Sequence, residues 1–355
     1  MTAAMRTLIV THSPLTLSCT ALALAMAAGV ATADQGQDTA ADVSPRQQWH
    51  QDIGAQYAEF VAASDALGET AEAFCSGQAP KSDLQEHWQD AYSAWQRVRF
   101  VDFGPIEVDS RAWQIQFWPD SKNLVGTRMA SRLRQDTPLT QDDIAQAGVA
   151  EQGFPALEYL LFDDAMQDVA LSDPVPCSLV GAIAAHLATT AVALESDWQA
   201  FASYYLATDG YTETSLHAAM QALETMDDKR LGEPLGMMGS QASFYRAEAW
   251  RSDASVTLAA ASLEGMKRSF LPGLRVALAQ AGQTPLAEAF AVQLNDTLEQ
   301  ARDIEVGIRS GLENAQQRQA LGTLYLEVAQ LSRLMSQDIG AALGVVRGFN
   351  SSDGD

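Results

Sequence analysis

The sequence predicts an all-α protein built as two antiparallel, up-down four-helix-bundle domains. Three observations carry this. Apolar residues recur at spacings of three and four over long stretches, the pattern of a helix with one buried face. Strand-like alternation is absent throughout. About four substantial helices fall on each side of Gly210, with mostly short connections, as in antiparallel bundles.

The elements follow in order. Residues 1–33 read as a cleavable signal peptide: Arg6, an apolar stretch from Leu15 to Val30, and Ala31-Thr32-Ala33 before a cut after Ala33. Residues 34–43 are small and polar, a flexible mature terminus. Ser44-Pro45 supplies an N-cap and a first-turn proline for a helix running to about Phe74. Ser82 and Gln85 have capping-box spacing for the next helix, along which Trp88, Tyr92, Trp95 and Arg99 form one stripe. For the aromatics that stripe reads as core. Gly104-Pro105 breaks the helix, and residues 106–122 read as irregular, with Trp113, Phe117 and Trp118 packing over the core. Short helices are expected over Ser121–Arg134 and Thr140–Ala147.

Gly153 to Phe162 reads as a short buried helix opened by Gly-x-Pro, with Glu158 as its one ionisable residue, placed in the first turn. A long helix is expected from Cys177 to Tyr205, and Thr208-Asp209-Gly210 is the domain boundary. The domains are thus 44–208 and 209–348, followed by a disordered tail over 349–355. In the second, Glu213–Met226 is helical, Lys229–Gly236 is a Gly/Pro-punctuated loop, and Glu248–Ser255 opens a long helix. Helices from Thr284 to about Arg309 and from Leu312 to Leu343 complete the chain.

Composition narrows the function. A formal charge of −23, with dispersed acids, argues against nucleic acid and against an anionic membrane surface. It suits a soluble protein that meets cations or basic partners. After cleavage no membrane span is expected. Removal of Cys19 with the leader leaves Cys75 and Cys177 as an even pair in an oxidising compartment. One disulfide is the simplest outcome, with free buried thiols or metal ligation as the alternatives. No His-Glu-x-x-His, Ser nucleophile elbow, phosphate-binding glycine loop or Cys-x-x-Cys is present. His87 with Asp83 and Asp90 has helical spacing, but a solvated helix face accounts for it, as it does for Asp163-Asp164. His186 stands alone.

The run Gly153-Phe154-Pro155-Ala156-Leu157-Glu158-Tyr159 resembles the signature of the imelysin-like family (peptidase family M75), Gly-x-His-x-x-Glu with an apolar, aromatic tail. Further similar patches are Trp95–Ile106, Gln116–Asp120, Lys229–Gly236 and Glu248–Ser255. The resemblance implies two four-helix bundles with an interdomain cleft, a periplasmic location, and a link to iron uptake and its envelope proteins. It also implies a divalent metal, iron or zinc, with Glu158 as a ligand. Pro155 stands where the family has histidine, and its side chain offers no donor. Candidate cleft residues are Glu158, Pro155, Gly153, Arg99, Asp120, Arg251 and Ser252, with Glu158 as acceptor and the arginines orienting it or holding an anion. The reading is a periplasmic binding or accessory component linked to iron uptake. One alternative is a metallopeptidase using Glu158 with ligands from elsewhere, such as Asp120 or a distant histidine. Another is a helical module that binds a partner protein through its cleft.

Overall fold

Ser44 opens the first helix as its neighbours dictate. Its hydroxyl accepts from the Gln47 N–H while the Gln47 side chain accepts from the Ser44 N–H, a closed capping box, worth about 1 kcal/mol. Helix α1 then runs over Pro45–Cys75. The structure, a computed structural model, describes residues 43–345. The leader over 1–33, the flexible terminus apart from Val43, and the tail over 349–355 lie outside the described residues.

Helix α2 spans Lys81–Val98. Its N-cap is Pro80, so the expected Ser82–Gln85 box does not form. Gln85 instead donates to the Leu161 carbonyl, a tertiary contact that outcompetes the local one. The stretch expected to be irregular contains a 3₁₀ segment, Gly104–Ser110, and helix α3, Arg111–Ile115. Trp113 there is 46% exposed, so it does not cover the core as expected. Helices α4 (Leu124–Arg132), α5 (Gln141–Ala145, capped by Thr140) and α6 (Gly153–Phe162) follow.

Helix α7 (Pro174–Ala207) starts with Pro174 after Asp173, one turn before the expected Cys177. Among the described residues it is the helix long and apolar enough to cross a membrane, but more than half of its most apolar window is buried within the protein. Helix α8 (Gly210–Thr225) begins after the Thr208–Asp209 break. The next stretch departs from the expected loop: Met226–Gly232 forms a π-helical turn leading into α9 (Glu233–Leu235). Helix α10 (Ser255–Gly265) continues through a second π turn, Met266–Phe270, into α11 (Leu271–Gln280). Helix α12 (Thr284–Arg302) is shorter than expected, and a small helix, α13 (Ile308–Gly311), precedes α14 (Ala315–Arg333). A third π turn, Leu334–Ile339, leads to α15 (Gly340–Leu343).

Helix α1 lies against α2, α7 and α11, and α10 lies against α2 and α12. Four tryptophans sit fully inside: Trp49, Trp88, Trp95 and Trp198. Each indole N–H finds an acceptor, respectively Phe270 O (2.8 Å), Phe154 O (3.1 Å), Gln116 Oε1 (2.7 Å) and His50 O (3.1 Å). Their burial therefore leaves no orphaned donor. Gly265 lets α10 meet α2 backbone to backbone, since a Cβ there would fall 1.8 Å from the Arg97 carbonyl oxygen. Cys75 and Cys177 form a disulfide with Cα atoms 5.7 Å apart, tying the end of α1 to the first turn of α7.

Candidate functional site

Helix α6 is buried from Gly153 to Leu161. Gly153 opens it with φ +66, pressed beneath α3 so closely that a Cβ would lie 2.1 Å from the Ile115 carbonyl oxygen. Only glycine meets both demands. Because α6 starts at Gly153, Glu158 falls in the second turn and not in the first as expected. The helix dipole is therefore not its main support.

That support comes from a loop far along the chain. Residues 247–254 do not open a helix, as the sequence suggested; α10 starts only at Ser255. Ala249 (φ 48) and Asp253 (φ 57) are left-handed and bracket a turn. The turn aims the N–H groups of Arg251 (3.0 Å) and Ser252 (2.9 Å) and the Ser252 hydroxyl (2.9 Å) at one atom, Glu158 Oε1. Burial pushes the Glu158 carboxyl above its ordinary pKa, and the Ser252 and Arg251 contacts offset that only in part. The Arg251 guanidinium turns elsewhere, donating to Asp163 (2.6 Å) and Asn123 (2.9 Å) and lying 4.3 Å from the Trp250 ring centre. Asp163 is thus an ion-pair partner rather than a solvated helix end.

A second buried glutamate lies one step away. Glu248 is 1% exposed. Its Oε1 accepts from Tyr92 (3.2 Å), Gln96 (2.8 Å), Arg99 (2.9 Å) and Gln116, while Oε2 lies 2.6 Å from Arg230 Nε. That last contact is a buried ion pair. Burial alone would raise the Glu248 pKa, but Arg230 and Arg99 outweigh it and hold the carboxyl below its ordinary value. The π turn over Met226–Gly232 is what directs Arg230 inward, to 5% exposure. Sequence reasoning missed Arg230 and Glu248 as site residues. Their only signal was an arginine beside a Gly/Pro stretch and a glutamate beside Trp250 and Arg251.

Glu158, Pro155, Asp120 and Arg251 line one cavity of about 530 Å³, with Tyr92, Trp118 and Tyr245 among its walls. Ser252 reaches the cavity's acid through Glu158, and Gly153 sits at the base of α6. Arg99 is not joined to Glu158; it pairs with Glu248 and lies 5.6 Å from the Trp118 ring centre. Asp120 accepts from Leu124 N (2.7 Å) and Val125 N (2.8 Å), so it caps α4.

The fit to a metal is poor. Among the described residues no three His, Cys, Asp or Glu side chains gather as a metal ion would need. His87 uses Nδ1 on the Asp83 carbonyl (2.8 Å). Beside Glu158, Pro155 adds an apolar surface, and Oε1 is taken up by N–H and O–H donors, so the site offers a metal ion one carboxylate oxygen and no second side-chain ligand.

The family model for imelysin (peptidase M75) matches residues 53–335, which takes in α6, the 247–254 loop and the π turn that carries Arg230. The chain belongs to the imelysin family. Two solved structures share this imelysin fold. An imelysin-like protein from Psychrobacter arcticum 273-4 has 21% identity and a TM-score of 0.74, the match covering 87% of this chain and 99% of that one. An iron-regulated protein A precursor from Parabacteroides distasonis ATCC 8503 has 13% identity and a TM-score of 0.61, covering 82% and 94%. No curated protein matches the chain in sequence.

Proposed function

We propose that this family member is a periplasmic, non-catalytic binding component linked to iron acquisition, with its ligand seated in the cavity beside Glu158. One observation carries the reading: Glu158 Oε1 is saturated by three donors from Arg251 and Ser252, while Pro155 occupies the position of the missing histidine. A hydrolytic metal site needs a held metal with an open coordination position. Glu158 and its neighbours supply one side-chain ligand toward that need. The iron link rests on the family and on the iron-regulated precursor that shares the fold. The periplasmic location rests on the leader over 1–33. We take residues 208–210 as the boundary between two helical bundles that meet at the cavity.

Calorimetric titration of the metal-stripped mature protein with ferrous iron and zinc tests this reading. The expected result is no binding in the wild type or in Glu158→Gln, with binding gained in Pro155→His. Tight wild-type binding that disappears in Glu158→Gln, together with peptide hydrolysis, would establish the metallopeptidase instead.

A further inference from the structure

We infer that the cavity beside Glu158 binds an organic ammonium group, with Glu158 Oε2 as its anionic acceptor and the Trp118 and Tyr245 rings as its walls. This deepens the binding-component reading and rests on it.

Glu158 is 3% exposed, yet its two oxygens differ. Oε1 takes three hydrogen bonds, whereas among the described residues no donor reaches Oε2, and Oε2 is not one of the sealed, unpartnered atoms of the interior. The residue lines the cavity, so Oε2 is the atom it presents there. A nearly buried carboxylate oxygen without a donor calls for one. The other acids of the lining are already engaged. Asp163 holds Arg251, Glu233 holds Lys229 at 2.5 Å, and Asp120 caps α4. Arg246 is bound by the Glu233 and Gln241 carbonyls and the Ser240 hydroxyl.

The walls suit a cation with an apolar stem. Tyr92, Phe117, Trp118, Tyr245 and Trp250 line the same cavity, and aromatic faces attract ammonium groups. Two of these rings already carry a cation from the protein, Arg99 at Trp118 and Arg251 at Trp250. Tyr245 is 65% exposed and leaves the mouth open to a ligand. Pro155 removes a second coordinating side chain but keeps an apolar contact, which disfavours a bare metal ion more than an alkylammonium. The −23 charge of the chain draws cations toward such a mouth.

The ammonium could belong to a free polyamine or to a lysine side chain of a polypeptide, and the test separates them. The mature chain is titrated at pH 8 with spermidine, with a short lysine-containing peptide, and with the same peptide acetylated on its amines. Binding is followed by calorimetry and by tryptophan fluorescence. The expected result is saturable binding of spermidine or of the unmodified peptide, loss of binding on acetylation, and affinity weaker by about tenfold or more in Glu158→Gln and in Trp118→Leu. Preference for spermidine would assign a free amine, and preference for the peptide a lysine side chain. Both variants are checked for an unchanged circular dichroism spectrum. Should Trp118→Leu fail that check, Glu158→Gln decides alone, because its amide oxygen keeps the three Oε1 contacts. Equal affinity of the acetylated peptide, unchanged affinity in Glu158→Gln, or no binding of either amine would overturn the inference. The last outcome would leave the broader binding reading to the metal titration.

Discussion

Two glutamates, both almost fully buried, are shifted in opposite directions, and the difference lies in what meets them. Glu158 is met by two N–H groups and a hydroxyl, so burial wins and its pKa rises. Glu248 is met by two guanidinium groups, which outweigh burial and lower its pKa. The signs follow from linkage. Stability from Glu158 is full below the ordinary glutamate pKa and is lost as pH rises through its raised folded value. Stability from Glu248 is full above the ordinary pKa and is lost as pH falls through its depressed value. Thermal melts across pH should therefore show Glu158→Gln melting at or above wild type at pH 8 and losing that advantage near pH 4. Glu248→Gln should cost about 3–5 kcal/mol at pH 7, because Arg230 and Arg99 would lose their buried counter-charge. A wild-type melting temperature in Glu248→Gln would contradict the network.

At the scale of elements, the site depends on irregularities more than on the helices themselves. Gly153→Ala should destabilise by about 3 kcal/mol or more, since strain at φ +66 adds to a collision with backbone oxygens that cannot move aside. Urea unfolding would measure it. The π turn over Met226–Gly232 that delivers Arg230 also half-buries Asp227, whose pKa is pushed up to about 6 by burial and by Asp228. That acid's contribution to stability is present below its ordinary range and is lost as pH rises through about 6. Asp227→Asn should accordingly melt higher than wild type above pH 7 and match it near pH 4. The same irregularities explain what the sequence concealed. Ser44-Pro45 and Thr140 were legible as helix starts because caps act over three residues. The donors to Glu158 lie 93 and 94 residues from it, and no local pattern encodes such a meeting. A π turn carries no compositional mark either, so Lys229–Gly236 read as a loop.

Across the described residues, apolar periodicity was enough to reveal the all-helical class, since apolar positions recur at helical spacing from one long helix to the next. The disulfide was legible from the pairing of Cys75 with Cys177 once a leader carrying Cys19 was expected to be removed. It closes a loop spanning 102 residues, which the chain-entropy model values at about 4–5 kcal/mol. Replacing Cys75 and Cys177 together by serine should lower the denaturation midpoint accordingly, and a midpoint equal to wild type would show that the bridge does not restrain the unfolded chain. The candidate site was legible only as a set of names. Glu158, Pro155, Asp120 and Arg251 do line one cavity, but Arg99 belongs to Glu248, and Asp120 serves a helix end.

On the proposed reading, Glu158 is a carboxylate held at one oxygen by the 249–253 turn and presented to the cavity at the other, not a metal ligand. The most direct measurement is a pH titration of the Glu158 side-chain carboxyl by nuclear magnetic resonance, repeated with excess zinc. The expected result is a midpoint above the ordinary glutamate value of about 4.3 and a resonance that zinc leaves in place. A midpoint at or below that value, or a shift that saturates at one equivalent of zinc, would contradict it.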